Sequence, residues 1–171
     1  MIVLIGALIL VILALYSFLG GFNPVEISYR DVDSEYKIIG RSFEGKSNSR
    51  ELGRIFESVR MLITDGLING TVVLVNYNEG YDEKTGSVKY FIGVPVEGSP
   101  QDIPPNFEIR SYYLKKVIRA EINGHNLVMP SPEKVFDMAV EFAARDSLKL
   151  EDQYFEHYIT ERKIVIEYPV K

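Results

Sequence analysis

The chain has 171 residues, with 19 Lys and Arg, 24 Asp and Glu, a net charge of −5 and no cysteine. The negative balance argues against a nucleic-acid surface built on excess Lys and Arg, and the missing thiols exclude disulfides, a thiolate nucleophile and Cys-ligated metal. No Asp, Glu, Lys or Arg precedes Glu26, so residues 1–22 stand apart from a remainder long enough for one sizeable core.

Met1 to Phe22 is charge-free and shows no polar face at helical spacing. As a helix it would run about 33 Å, close to the roughly 30 Å hydrocarbon core of a bilayer. A cleaved signal peptide would need a basic n-region, yet the first Lys or Arg is Arg30. A single-span transmembrane anchor over 1–22 is therefore expected, with Tyr16, Phe18 and Phe22 as an interfacial aromatic belt. Neither flank carries a positive cluster, so the side of the membrane is not indicated. Gly20, Gly21 and Pro24 read as a hinge to a domain over 24–171.

Glu26 to Arg30 and Tyr36 to Phe43 read as strands. Leu52, Ile55, Phe56, Val59, Leu62 and Ile63 recur at helical spacing, with Asn48 or Ser49 as cap and Gly66 as stop. Thr71 to Tyr77 is rich in β-branched residues. A turn over Asn78 to Gly86 leads to a strand from Val88 to Val96. Residues 97–105 form the plausible linker. A second pass follows: a strand from Phe107 to Ile122, and a helix opened by Ser131-Pro132 with a stripe of Val135, Met138, Ala139, Phe142 and Ala143. A hairpin over Gln153–Ile159 and Lys163–Tyr168 closes it. The halves end alike, in Val94-Pro95-Val96 and Tyr168-Pro169-Val170. The pattern predicts an α+β fold: a duplicated βαββ unit (repeats about 25–97 and 106–171) in antiparallel sheet. Two helices are expected on one face and a ligand groove on the other.

The last hairpin, Tyr154-Phe155-Glu156-His157-Tyr158-Ile159 followed by Ile164 to Val170, resembles that of the GyrI-like (SOUL/GyrI, AraC-type) effector-binding domains. Those show a Glu-x-Tyr strand and then a strand ending in Pro-Val. Their midpoint motif, Tyr-Tyr-Asp-x-Pro, is met here by Asn76-Tyr77-Asn78-Glu79-Gly80, in which only Tyr77 is retained. An apolar helix before such a domain is similar in layout to the ER-phagy receptors of the superfamily. Their recruitment of autophagy proteins depends on a long tail and is not carried over. The resemblance implies a small-molecule-binding module with Glu156 as the acid of its pocket.

Alternation places Tyr154, Glu156 and Tyr158 on one strand face and Phe155, His157 and Ile159 on the other. The face of Phe155 and Ile159 is expected to meet the helices, turning the tyrosines and the acid into the groove. A carboxylate between phenol rings suits a lipophilic or cationic aromatic ligand. Spacing alone leaves a second reading open, a solvated hairpin face with tyrosines as ordinary strand formers. Tyr77, on the matching strand of the first half, and Tyr113 are the further ligand-binding candidates, while Tyr168 is assigned to the core.

Gly40 to Ser47 fits the phosphate-loop pattern G-x-x-x-x-G-K-[ST] letter for letter, between a strand and a helix. Glu44 would put negative charge into the cradle, and two helices are too few for a parallel sheet with crossovers, so no nucleotide is expected. His125 and His157 are the only histidines and lie in different elements, so neither a metal nor a cofactor is expected. Two alternatives accompany the binding module. Some GyrI-like relatives hydrolyse electrophilic small molecules, which would make Glu156 the base and Tyr77 the donor. A tethered adaptor would instead place a protein partner in the groove.

Overall fold

The computed structural model describes residues 2–80, 85–98 and 103–171; positions 81–84 of the expected turn and 99–102 of the expected linker lie outside them. The apolar segment forms helix α1, Ile2–Phe18, which at 17 residues is about 25 Å long. Among the described residues no helix is long and apolar enough to cross a membrane. The span expected over 1–22 is thus not found, because the chain turns at Gly20, whose φ of +85° suits glycine.

Nor is that turn a free hinge. Gly20 and Gly21 donate back to the carbonyls of Ser17 and Tyr16, while the Asn23 side-chain amide donates to the Asn123 carbonyl at 2.8 Å. The backbone N–H of His125 donates to the Leu19 carbonyl, also at 2.8 Å. The root of α1 is therefore fastened to the domain.

The domain runs β1 (Glu26–Lys46), α2 (Arg50–Thr64), β2 (Val72–Tyr77), β3 (Ser87–Val96), then β4 (Glu108–Asn123), α3 (Pro132–Arg145), β5 (Gln153–Thr160), β6 (Lys163–Pro169). The two strands expected before α2 are one. A bulge between Asp31 and Ser34, with Asp33 at φ 40°, bends β1 without ending it. Ser49 caps α2 by accepting from the Leu52 N–H, and Ser131 caps α3 by accepting from the Lys134 N–H.

All pairings are antiparallel, and the order β1-β3-β2-β5-β6-β4 closes on itself as a barrel. Closure happens on β1, where Lys37 to Gly40 pair with both β3 and β4. Gly40 faces Gly93 there, and a Cβ on either would collide with backbone of the opposite strand. Outside, α2 packs on Phe43, Leu74, Val88, Ile92 and Val94, and α3 on Ile118, Ala120, Ile122, Ile166 and Tyr168.

The opposite face was expected to carry a groove. Closure turns it inward, where Ile38, Val73, Val75, Phe91, Leu114, Val117 and Phe155 fill it as a third core cluster. On the helix-bearing side, β2 and β5 run along the boundary between the α2 cluster and the α3 cluster.

Candidate functional site

Strands β2 and β5 pair at the middle of the sheet, and register aligns their side chains in rows across it. Tyr154 lies opposite Asn76, which in turn lies opposite Tyr90 of β3. Glu156 lies between Leu74 and Ile166, and Tyr158 between Val72 and Ile164. Since Leu74 belongs to the α2 cluster and Ile166 to the α3 cluster, Glu156 sits on the seam between the two outer cores.

The sequence expectation that Tyr154, Glu156 and Tyr158 share a face holds in the structure, but the face is the reverse of the one expected. Phe155 and His157 are buried inside the barrel, while the acid and its tyrosines face the helices. Large apolar side chains on both sides of β5 make the two faces indistinguishable by alternation alone; ring closure decides between them.

Around Glu156 the walls are aromatic. The Tyr158 hydroxyl donates to Glu156 Oε2 at 2.8 Å, and Phe56 of α2 meets the Tyr158 ring edge-on at 6.0 Å. The Tyr154 ring lies 5.3 Å from Tyr168, which contacts Phe136 of α3, and the Asn76 amide donates to the Tyr154 hydroxyl at 2.6 Å. Glu156 is half-buried, and Tyr158 is its one hydrogen-bond partner among the described residues. Burial raises that carboxyl above its ordinary range, and the hydrogen bond from Tyr158 only partly opposes this. Burial followed by the neighbouring Glu156 charge likewise raises the Tyr154, Tyr158 and Tyr168 phenols, so they stay protonated donors.

The other two candidates lie elsewhere. Tyr77 faces the barrel interior, its hydroxyl 2.6 Å from that of Tyr112 and within reach of Arg110, which stacks over Phe91 at 4.5 Å. Tyr113 is 60% exposed and donates to Asp33. Tyr90, Asn76 and Phe56 lie at the site beside the sequence candidates, and Tyr168 reaches it from the α3 core. Asn76 was the available signal, as the one amide in an otherwise apolar and aromatic strand.

A second polar group lies across the sheet. Glu167, 2% exposed, accepts from Arg119 Nη1 at 3.2 Å and lies 3.1 Å from His157 Nε2, with the Tyr36 hydroxyl at 3.4 Å. Burial alone would raise its pKa, but His157 and Arg119 outweigh that and hold it below the ordinary range. Residues 40–46 of the phosphate-loop pattern lie in the extended strand β1, paired with β3, and form no cradle. No group of three or more metal-ligating side chains occurs among the described residues.

No protein-family model and no curated protein matches the sequence. Solved structures do match in fold. A hydrolase encoded by lin2189 from Listeria innocua aligns at a TM-score of 0.61 and 10% identity over 91% of this chain and 98% of that one. The C-terminal domain of EcmrR aligns at 0.59 and 12% identity over 86% and 98%. SAV2435 bound to tetraphenylphosphonium aligns at 0.52 and 14% identity over 85% and 94%. The fold is similar to that of the GyrI-like effector-binding domains.

Proposed function

We propose that this GyrI-like fold is a small-molecule-binding module held at a lipid bilayer by α1, and that it takes a lipophilic or aromatic cation over Glu156. The carrying observation is a half-buried carboxyl group on the seam between the two outer cores, beside Tyr154, Tyr158, Tyr168 and Phe56, with no ion pair among the described residues and with burial raising its pKa. A partly desolvated acid without a basic partner is costly to ionise, and a bound cation would supply the missing charge. The rings add cation–π attraction of about 2 kcal/mol where water is excluded. Tetraphenylphosphonium, bound by the structurally similar SAV2435, is a cation of this kind.

Bilayer attachment is supported by α1 itself. It has no charged residue and no polar stripe, and its large side chains are exposed around the whole helix. A 17-residue helix is at the short end of what a bilayer accommodates, through local thinning or a sunken flank.

Calorimetric titration of the full chain with tetraphenylphosphonium tests the binding reading. Glu156→Gln is expected to weaken affinity roughly 10- to 100-fold, the worth of one charge-assisted contact. Unchanged affinity overturns the proposal. Co-flotation with phosphatidylcholine vesicles tests the second half, and recovery of the chain only in the lipid-free fraction overturns it. The hydrolytic alternative loses its named tyrosine, since Tyr77 lies on the opposite face from Glu156 and is engaged with Tyr112.

A further inference from the structure

The turn of residues 124–130, between β4 and α3, is built against the root of α1. His125 donates its backbone N–H to Leu19, and the Gly124 Cα lies 3.0 Å from where a Cβ on Gly20 would stand. The Gly124 N–H donates to the Arg162 carbonyl at 2.9 Å, which ties in the β5–β6 turn, and the Arg162 guanidinium lies over the Phe18 ring at 5.6 Å. At the tip of this turn stands Leu127, 81% exposed, the highest value among the large exposed hydrophobic residues of the described chain.

The tip is preformed. Val128 and Met129 both donate to the His125 carbonyl, and the Leu127 N–H donates to His125 Nδ1 at 3.3 Å. An exposed leucine held out on a rigid turn beside an apolar helix is matched by the two aromatic residues at the same root, Phe18 (72% exposed) and Phe22.

We infer that the 124–130 turn is a second lipid contact, with Leu127 inserting into the interfacial layer beside α1. This rests on the bilayer reading of α1. A helix of about 25 Å is shorter than a hydrocarbon core of roughly 30 Å, so its root is drawn toward the lipid. Whatever is fastened to that root goes with it. A single protein partner would cover one side of α1 and leave the others exposed; lipid meets α1, Phe18, Phe22 and Leu127 together. Arg162, above Phe18, then stands at headgroup depth, where a guanidinium meets phosphate. Two contacts fix the tilt of the domain, as one helix on a free hinge would not.

The chain has no cysteine, so single-cysteine variants of the full chain take one environment-sensitive dye each. Leu127→Cys, Leu8→Cys in α1 and Met61→Cys on α2 are reconstituted in phosphatidylcholine vesicles with and without brominated lipid. Expected are blue-shifted emission and quenching by the brominated lipid at positions 8 and 127, with a water-like, unquenched signal at 61. Quenching at 8 with a water-like signal at 127 overturns this contact and leaves the bilayer reading standing. A water-like signal at both overturns both. A blue shift at 127 that brominated lipid does not quench means that protein, such as a second copy of the chain, covers the turn, and also overturns it.

Discussion

Tyr158 and Glu156, two residues apart on β5, are joined by a 2.8 Å hydrogen bond from the phenol to the carboxylate. The bond holds the acid against an aromatic wall that α2 completes with Phe56. It also acts on the acid's titration in the direction opposite to burial. Charge and orientation at the candidate site therefore meet in one pair.

Binding of a permanent cation should follow the ionised fraction of Glu156. Burial shifts that carboxyl upward, so tetraphenylphosphonium affinity is expected to rise with pH across a range above that of an exposed carboxylate. It should then level off. Tyr158→Phe removes the group that stabilises the charged form and moves the rise to higher pH, while costing about 1 kcal/mol of stability. Glu156→Gln flattens the profile. Titration calorimetry at a series of pH values reads all three.

The same shift has an opposite consequence for stability. A carboxyl whose pKa is raised on folding contributes stability below its unfolded value, and loses that contribution as pH rises through the folded one. Without ligand, Glu156→Gln is therefore expected to melt above the parent at neutral pH and to converge with it in acid. Thermal unfolding at the two pH values checks the sign. The stabilised variant should also be the poor binder, the trade expected at a site kept for its charge.

Glu167 works in the other direction. Arg119 and His157 hold it ionised despite burial, so its contribution is present above the ordinary carboxylate pKa and fades as pH falls through its lowered one. Glu167→Gln leaves Arg119 and His157 facing a neutral amide, and should cost about 3 kcal/mol in denaturant unfolding at neutral pH. The parent should show an acid-induced loss of stability that the variant lacks.

Ring closure depends on Gly93. A Cβ there would strike the Ile39 carbonyl and lie 2.6 Å from Ile38 Cγ2. Gly93→Ala should cost about 2–3 kcal/mol by overpacking a strand pair that cannot move apart without opening the barrel. Amide exchange at the β1–β3 pairing, from Lys37 to Lys46, is expected to quicken more than exchange in β6.

Local patterns carried far in this chain. Helical spacing gave both amphipathic helices, Ser49 and Ser131 gave their caps, and alternation put Tyr154, Glu156 and Tyr158 together. What alternation does not contain is which side of β5 looks outward, because Phe155 and Tyr158 are both bulky. That choice is made by β1 reaching both β3 and β4, a contact between residues far apart in sequence. Tyr77 lies apart from Glu156 for a related reason: the strand that matches β5 in the other half is itself paired to β5, and the odd positions of both turn inward. Tyr90 and Asn76 come into line with Tyr154 only through cross-strand register, which no single strand reveals. For α1, hydropathy gave the apolar run, and the turn at Gly20 decided its length.

The closed strand order bears on crowding. A molecule confined to a surface meets its neighbours at high local concentration, and a sheet with an unpaired border offers them a template for strand addition. Here each of the six strands has a partner on either side over part of its length, and the longest stretches with one strand partner are 26–36 of β1 and 108–116 of β4. Closure thus confines strand addition between copies mainly to those two stretches, and leaves the strands that carry Glu156 and its neighbours paired on both sides.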